Sequence, residues 1–184
     1  MSYYEEIEFN EKLEVSEGDE FIDCSFDSIN FAELSLNNTK LVDCTFINCN
    51  LSNVSVLNST FRGTKFVDCK IVGVNFSNCL TLHLLSFKSC ILNYSVFQNI
   101  EGVNFEFHSC GLKEVDFSES KLNETSFLDS ELDLANFSGT DLRKADFRGA
   151  FGYQIDPLSS KIKGAKFQAP EVLGLLTSFG IDIS

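Results

Sequence analysis

Seven phenylalanines recur at an almost constant interval along the chain. They are Phe26, Phe46, Phe66, Phe87, Phe107, Phe127 and Phe147. The intervals between them are 20, 20, 21, 20, 20 and 20 residues. Neither the 3.6-residue period of a helix nor the 2-residue period of a strand produces this spacing. A backbone that turns once in 20 residues would place all seven above one another, so the spacing predicts a coil.

A five-residue period subdivides each of these intervals. Its central residues run from Phe21 to Phe76 and, after a slip of one residue around Asn78–Thr81, from Leu82 to Phe147. Of 26 central positions, 25 are apolar, and the exception is Gly102. Four such units per 20 residues predict a four-sided coil filled by the central side chains.

Two irregularities in this pattern have expected consequences. The residue inserted around Asn78–Thr81 should bulge outward at a corner and leave the inner stack intact. At Gly102, the neighbouring Ile100 and Phe105 are larger than usual for their positions, so they should fill the volume that the glycine vacates. The stretch Asn99–Glu106 is therefore the candidate for a surface protrusion.

All seven cysteines stand two residues before a central position, allowing for the slip. Cys49, Cys69, Cys90 and Cys110 fall on one face of the coil, and Cys24 and Cys44 share another. The chain has no Cys-x-x-Cys pair, so a zinc site has little support. The pattern predicts buried, reduced thiols that pack as small apolar groups, and a redox or metal-binding ladder is the alternative.

The charge of the chain is strongly acidic and uneven. The net charge is −13, of which residues 1–23 contribute −8 and residues 24–147 contribute −6. Such a chain is a poor direct binder of nucleic acid or of an anionic membrane. It has no apolar run long enough for a transmembrane span and no signal-peptide pattern at its start, so we expect a cytoplasmic protein.

The pattern divides the chain into three segments. Residues 1–20 are expected to form an acidic N-terminal cap with a short strand or hairpin, residues 21–152 the repeat, and residues 153–184 a C-terminal cap. Pro170 and Gly180 suit the start and the end of a helix. This helix should cover the open end of the coil, and its remaining apolar surface should form a homodimer contact. The candidate contact residues are Val172, Leu173, Leu176, Phe179, Ile181 and Ile183.

Nothing in the sequence indicates catalysis. His83 and His108 each follow a central position and should face solvent, outside any metal-binding or triad spacing. The chain has no GxGxxG, P-loop or HExxH motif, and acid pairs on a repetitive outer face are usually solubilising. We therefore expect neither an enzyme nor a cofactor or metal site.

Three consecutive units follow the pattern Ala-(Asp/Asn)-(Leu/Phe)-x-x most closely. They are Ala135-Asn136-Phe137-Ser138-Gly139, Thr140-Asp141-Leu142-Arg143-Lys144 and Ala145-Asp146-Phe147-Arg148-Gly149. The unit resembles that of the pentapeptide-repeat family over residues 19–149. The resemblance implies an all-β solenoid, the right-handed quadrilateral β-helix, with four units per coil.

Within that family the chain is similar to the Qnr-type and MfpA-like proteins. The resemblance implies binding to DNA gyrase and topoisomerase IV, protection of these enzymes from quinolones or related toxins, and a homodimer made by the C-terminal helix. It also implies DNA mimicry by an acidic rod. Several Qnr-type proteins carry loops of several residues that project from the coil, whereas here the length changes by one residue. The alternative is a cytosolic scaffold, regulator or immunity protein with a partner other than a topoisomerase.

Charge limits how closely the chain can mimic DNA. The 26 units make a rod of roughly 31 Å at about 4.8 Å per coil. Duplex DNA of that length carries about 18 negative charges, against −6 for residues 24–147. The acids that could serve lie in the C-terminal half. The candidate residues of a partner-binding acidic face are Glu114, Asp116, Glu119, Glu124, Asp129, Glu131, Asp133, Asp141 and Asp146.

Overall fold

In a computed structural model, the chain is a four-sided parallel β-solenoid, as the 20-residue spacing predicts. The structure describes residues 1–11, 13–32 and 34–181. Each side is one column of central residues, and we number the faces by these columns. Face 1 carries the column that begins at Phe26, face 2 that at Phe31, face 3 that at Leu36 and face 4 that at Phe21.

The named strands belong to faces 4 and 1. On face 4 they are β1 (Tyr3–Glu5), β3 (Glu20–Ile22), β5 (Lys40–Val42), β7 (Thr60–Arg62) and β9 (Thr81–His83). On face 1 they are β2 (Glu8–Phe9), β4 (Ser25–Asp27), β6 (Thr45–Ile47), β8 (Lys65–Val67), β10 (Ser86–Lys88) and β11 (Glu106–His108). All of these strand pairs are parallel. Within face 2 and within face 3, successive turns are joined by single parallel bridges, such as Asn50 to Lys70 and Asp116 to Asn136.

The corners between faces depend on one recurring backbone conformation. Among the described residues, the residue two positions after a central residue adopts a positive φ, as in Asn48 (53°) and Asp68 (53°), except at Asn78 in the 3-10 turn Phe76–Asn78. At most of these corners the N–H donates to a carbonyl of the next turn of the coil, as from Asn48 to Val67 (3.0 Å). Asn, Asp and Gly tolerate this left-handed region best, which explains their frequency at that position.

The core is built from stacked aromatic rings. On face 1 the stack runs from Phe9 to Phe167 through the seven predicted phenylalanines, with centroid distances of 4.5–5.3 Å and interplanar angles of 4–19°. A second stack on face 3 meets it edge to face, for example Phe117 against Phe107 at 5.7 Å and 74°. The seven predicted phenylalanines are each at most 1% exposed. The prediction that the central side chains fill the coil is confirmed.

The N-terminal segment joins the coil, and the hairpin alternative is wrong. β1 and β2 each pair in parallel with the following turn, and Tyr4 and Phe9 stack on Phe21 and Phe26 at 4.9 and 5.2 Å. Asp19, which is 1% exposed, holds this segment by accepting hydrogen bonds from the N–H groups of Ser2 (2.6 Å) and Ser16 (2.9 Å). The paired coil therefore begins before residue 21.

The coil also continues past residue 152, since Lys161 and Lys166 bridge to the preceding turn. A 3-10 helix follows at Glu171–Phe179. In a 3-10 helix residues three apart lie on one line, so Val172 and Leu175 face the core together, and Leu175 is 8% exposed. The predicted apolar face assumed the α-helical period and omitted Leu175.

The single-residue slip and Gly102 open a gap on face 4. The extra residue is taken up by a 3-10 turn at Phe76–Asn78, and the Phe66–Phe87 stack below it is intact at 4.9 Å, as predicted. Among the described residues, which include both segments completely, no backbone hydrogen bond joins residues 80–84 to residues 99–103. A surface cavity of about 320 Å³ lies between these two segments, and Leu82 is only partly buried.

Phe105 fills the volume beside Gly102, as predicted. A Cβ atom on Gly102 would lie 2.9 Å from Cδ2 of Phe105. The predicted surface protrusion at Asn99–Glu106 is wrong, because this stretch keeps the regular corner bonds, such as Asn99 N–H to Ser118 O (2.9 Å). The irregularity at Gly102 is therefore a gap between turns and not a protrusion, because Phe105 of the same turn fills the space that a side chain at Gly102 would occupy.

Phe107 offers the most direct test of the core. It is 0% exposed and stacks between Phe87 (5.1 Å) and Phe127 (5.3 Å). Phe107→Ala should lower the free energy of unfolding by about 3–5 kcal/mol, measured by denaturant titration, because it leaves a cavity in the stack. Lys88→Ala, at an exposed position of the preceding turn, should cost less than about 0.5 kcal/mol. A loss below about 1 kcal/mol for Phe107→Ala would show that the stack is not inside.

Candidate partner-binding surfaces

The interior of the coil is structural. Among the described residues, no group of three or more His, Cys, Asp or Glu side chains could hold a metal ion. His83 is exposed as predicted, whereas His108 is partly buried and its Nε2 lies 3.0 Å from Ser126 Oγ. Within the same residues, no helix is long and apolar enough to cross a membrane.

The cysteine ladder exists as predicted. The thiols of Cys49, Cys69 and Cys110 donate to carbonyl oxygens of phenylalanines one turn earlier, at 3.3–3.5 Å. All seven cysteines lie within the described residues, where all are free and six are buried. Burial raises the pKa of Cys44 to about 12, and it does the same for Cys79, which is partly exposed at the gap. Thiols of this kind are unreactive because the thiolate is scarce.

This arrangement predicts the alkylation pattern. In the native protein at pH 8, iodoacetamide followed by mass spectrometry should modify no cysteine within minutes, and Cys79 should be the first to react over hours. The thiols of Cys44 and Cys79, with a pKa of about 12, are ionised at pH 8 in on the order of one molecule in ten thousand, and burial shields the other cysteines from the reagent. In denaturant all seven should react. Rapid alkylation of Cys49 or Cys69 in the folded protein would contradict their position in the core.

The nine candidate acids lie on all four faces. Glu114, Glu131 and Asp133 are on face 2, Asp116 and Glu119 on face 3, Glu124 and Asp141 on face 4, and Asp129 and Asp146 on face 1. They therefore do not form the single acidic face that their clustering in the sequence suggested. Their role in partner binding remains a prediction.

The acids on faces 4 and 1 are largely neutralised. Asp141 accepts two hydrogen bonds from Arg143, at 2.8 and 2.6 Å, and this contact holds the pKa of its carboxyl below the usual value. Asp146 is paired with Arg148 in the same way, and its pKa is lowered likewise. Lys144 Nζ contacts Glu124 at 2.8 Å. These acids are poor candidates for binding a basic partner.

Faces 2 and 3 form the acidic side of the C-terminal half. Their units within residues 110–159 contain six acids and one base, Lys113. Of those acids, only Glu114 has a basic partner within 4 Å in the described part of the chain, Lys113 Nζ at 4.0 Å. Faces 4 and 1 contain four acids and seven bases within residues 120–169. Acids and bases that are mixed along the sequence thus lie on different sides of the coil. We call the five candidate acids on faces 2 and 3 the acidic surface: Glu114, Asp116, Glu119, Glu131 and Asp133.

The C-terminal 3-10 helix exposes one apolar line. Leu173 and Phe179 are 44% and 49% exposed, and Ile181 beyond them is 53% exposed. Leu176 is partly buried and lies on the same line, three residues from each of the first two. Of the predicted dimer contacts, Val172 instead packs against the core, and Ile183 lies outside the described residues.

Comparisons with known proteins agree with this architecture. The family model for a pentapeptide repeat region matches residues 19–97, and that for pentapeptide repeats (8 copies) matches residues 110–149. The comparison with curated proteins gives no significant match in sequence.

Solved structures of the same kind match nearly the full length. Two trypsin-treated variants of QnrB1, a plasmid-mediated fluoroquinolone resistance protein, align with TM-scores of 0.51 and 0.50 at 18% identity, over 99–100% of this chain and 100% of theirs. HetL, a pentapeptide repeat protein involved in heterocyst differentiation regulation from the cyanobacterium Nostoc sp. strain PCC 7120, aligns with a TM-score of 0.46 at 14% identity, over 89% of this chain and 84% of its own. The two family models together match most of the chain, and with the 20-residue coil they show that the chain belongs to the pentapeptide-repeat family.

Proposed function

We propose that the chain is a non-enzymatic binding protein of the cytosol that binds DNA gyrase or topoisomerase IV and protects the enzyme from quinolones or related toxins. The observation that carries the proposal is the acidic surface on faces 2 and 3, which stands on a rigid rod with a filled interior. The likeness in fold to QnrB1, a fluoroquinolone resistance protein, over nearly the whole length of both chains supports the proposed protection from quinolones.

The separation of charge makes partial DNA mimicry physically reasonable. The whole coil carries too few charges to match duplex DNA, but the acidic surface concentrates them on one side of the C-terminal half. Parallel turns about 4.8 Å apart hold these carboxylates at fixed positions. A basic cleft can therefore bind them without the entropic cost of ordering flexible loops. Opposite charge on the two sides also orients the approaching rod.

The assay is gyrase supercoiling of relaxed plasmid, with and without a quinolone. At micromolar concentration the wild-type protein should inhibit supercoiling or restore it in the presence of the drug. Glu114→Lys/Glu119→Lys should weaken this effect at least about tenfold, because each change replaces an attractive charge with a repulsive one.

A matched control is available on the opposite faces. Glu124→Lys/Asp129→Lys makes the same change of charge at the same left-handed corner position, and it should leave the effect within about threefold of the wild type. Equal loss in both variants would show that net charge acts without the acidic surface. If the wild-type protein has no effect of either kind on gyrase or topoisomerase IV, the proposed partner is wrong.

We further propose that the apolar line Leu173–Leu176–Phe179 joins two copies in a symmetric dimer. Leu173→Asp/Leu176→Asp should convert the dimer to a monomer, measured by light scattering with chromatography, because it places two carboxylates in an apolar contact. Leu158→Asp is the control, since Leu158 is 77% exposed but lies outside this line. A monomeric wild-type protein, or a dimer that survives the double change, would contradict this arrangement.

A further inference from the structure

Among the corners that the structure describes, three carry large apolar side chains. At this left-handed position most units have Asn, Asp, Gly, Ser or Glu, but Leu84, Tyr94 and Leu134 adopt φ values of 52°, 64° and 58°. A side chain with a bulky Cβ substituent is strained in this region, and Asn is strained less. Burial does not compensate, because the three residues are 49%, 51% and 64% exposed. Strain without a packing benefit is a feature that function can explain.

Tyr94 and Leu134 lie on the same edge of face 2. Glu114 stands between them, since Tyr94 N–H donates to Lys113 O (3.0 Å) and Glu114 N–H to Asp133 O (2.9 Å) in successive turns. Two steps of about 4.8 Å place Tyr94 and Leu134 about 10 Å apart. Leu84 is separate, on face 4 beside the gap.

The rest of face 2 continues this mixture of apolar and acidic side chains. Ile91 and Phe151 are 48% and 47% exposed, and they belong to one column that is bridged through Gly111 and Glu131. Exposed aromatic groups framed by charged residues are typical of the anchor residues of protein interfaces. A surface that only imitated the phosphates of DNA would need no apolar side chains.

We propose that Tyr94 and Leu134, which lie on either side of Glu114 along this edge, form the apolar centre of the acidic surface together with Ile91 and Phe151. This centre fits a basic protein surface with an apolar patch at its middle. This inference rests on the proposed function, because it describes how the same side of the rod, faces 2 and 3, contacts the partner protein. The charge of faces 2 and 3 requires a basic partner, and the exposed rings and the leucine require an apolar area within it. Binding therefore keeps a component that salt does not screen.

A second copy of the chain fits this surface less well. Over the described ranges, five of the seven bases on faces 4 and 1 of the C-terminal half already contact an acid of the same copy within 4 Å: Lys121, Arg143, Lys144, Arg148 and Lys166. Bringing such pairs to an interface gains little new charge attraction. We therefore assign the surface to a different protein.

The substitution Tyr94→Asn/Leu134→Asn tests the inference, with Leu84→Asn as a matched control at the same backbone conformation. Thermal unfolding comes first. Both variants should melt at or above the wild-type temperature, because Asn fits the left-handed region better. A clear decrease for the double variant would mean that the two side chains stabilise the fold, and it would overturn the inference.

Binding is then measured with two probes. The first is a synthetic lysine–leucine peptide with an apolar stripe, compared with a lysine–serine peptide of equal charge. The wild type and Leu84→Asn should bind the leucine peptide at least about tenfold more tightly than the serine peptide at 0.3 M salt, and the double variant should lose that preference. Equal preference in all three proteins would overturn the inference.

The second probe is purified DNA gyrase, which separates the two proposals. If the wild type binds gyrase, the double variant should bind at least about tenfold more weakly, and unchanged affinity would overturn the inference. If the wild type does not bind gyrase but shows the peptide preference, the proposed partner fails while the apolar centre stands. Light scattering should give the same mass for all three proteins, and a change of oligomeric state in the double variant would assign the edge to self-association and overturn the inference.

Discussion

Hydrogen bonds between successive turns hold most residues above the residue 20 positions earlier, or 21 across the slip, and this register governs the other properties of the molecule. A column of like residues must tolerate its own copies at a distance of about 4.8 Å. Phenylalanine does so by stacking its rings, and cysteine by donating its thiol to the carbonyl of the turn before. Like charges in such a column repel, whereas opposite charges attract. Within the described residues, three ion pairs on face 4 accordingly join residues one turn apart: Glu20–Lys40, Glu101–Lys121 and Glu124–Lys144.

The same register explains why the outside of the rod can carry function. Residues in the inner columns are committed to packing, but the outer columns are free to vary in charge from one face to the next. On face 3 of the C-terminal half, Asp116 lies below Asn136, whose Nδ2 donates to it at 3.1 Å, with no basic side chain in that column. Acids left in this way keep their charge for a partner. The apolar corner residues Tyr94 and Leu134 stand among them.

The sequence predicted the architecture and the core because a five-residue period with 25 apolar centres leaves few alternatives. It also located the slip and predicted that the side chain of Phe105 fills the volume beside Gly102. It did not predict the 3-10 geometry at Glu171–Phe179, since the α-helical and 3-10 periods place different residues on the buried line, and Leu175 was missed for that reason. The gap on face 4 was missed because it needs two irregularities, far apart in sequence, to meet in successive turns. The separation of acidic from basic faces could have been predicted by assigning each charged residue to its position in the 20-residue repeat.

Amide hydrogen exchange tests the register most directly, residue by residue. The corner amides of Asn48, Asp68, Ser89 and Ser109 donate to the next turn at 2.9–3.0 Å, so they should exchange slowly although their side chains point away from the core. The amide of Leu84, at the same kind of corner but facing the gap, should exchange much faster than these four. Protection at Leu84 equal to that of Asn48, or rapid exchange at all five corners, would contradict the stacked-turn account.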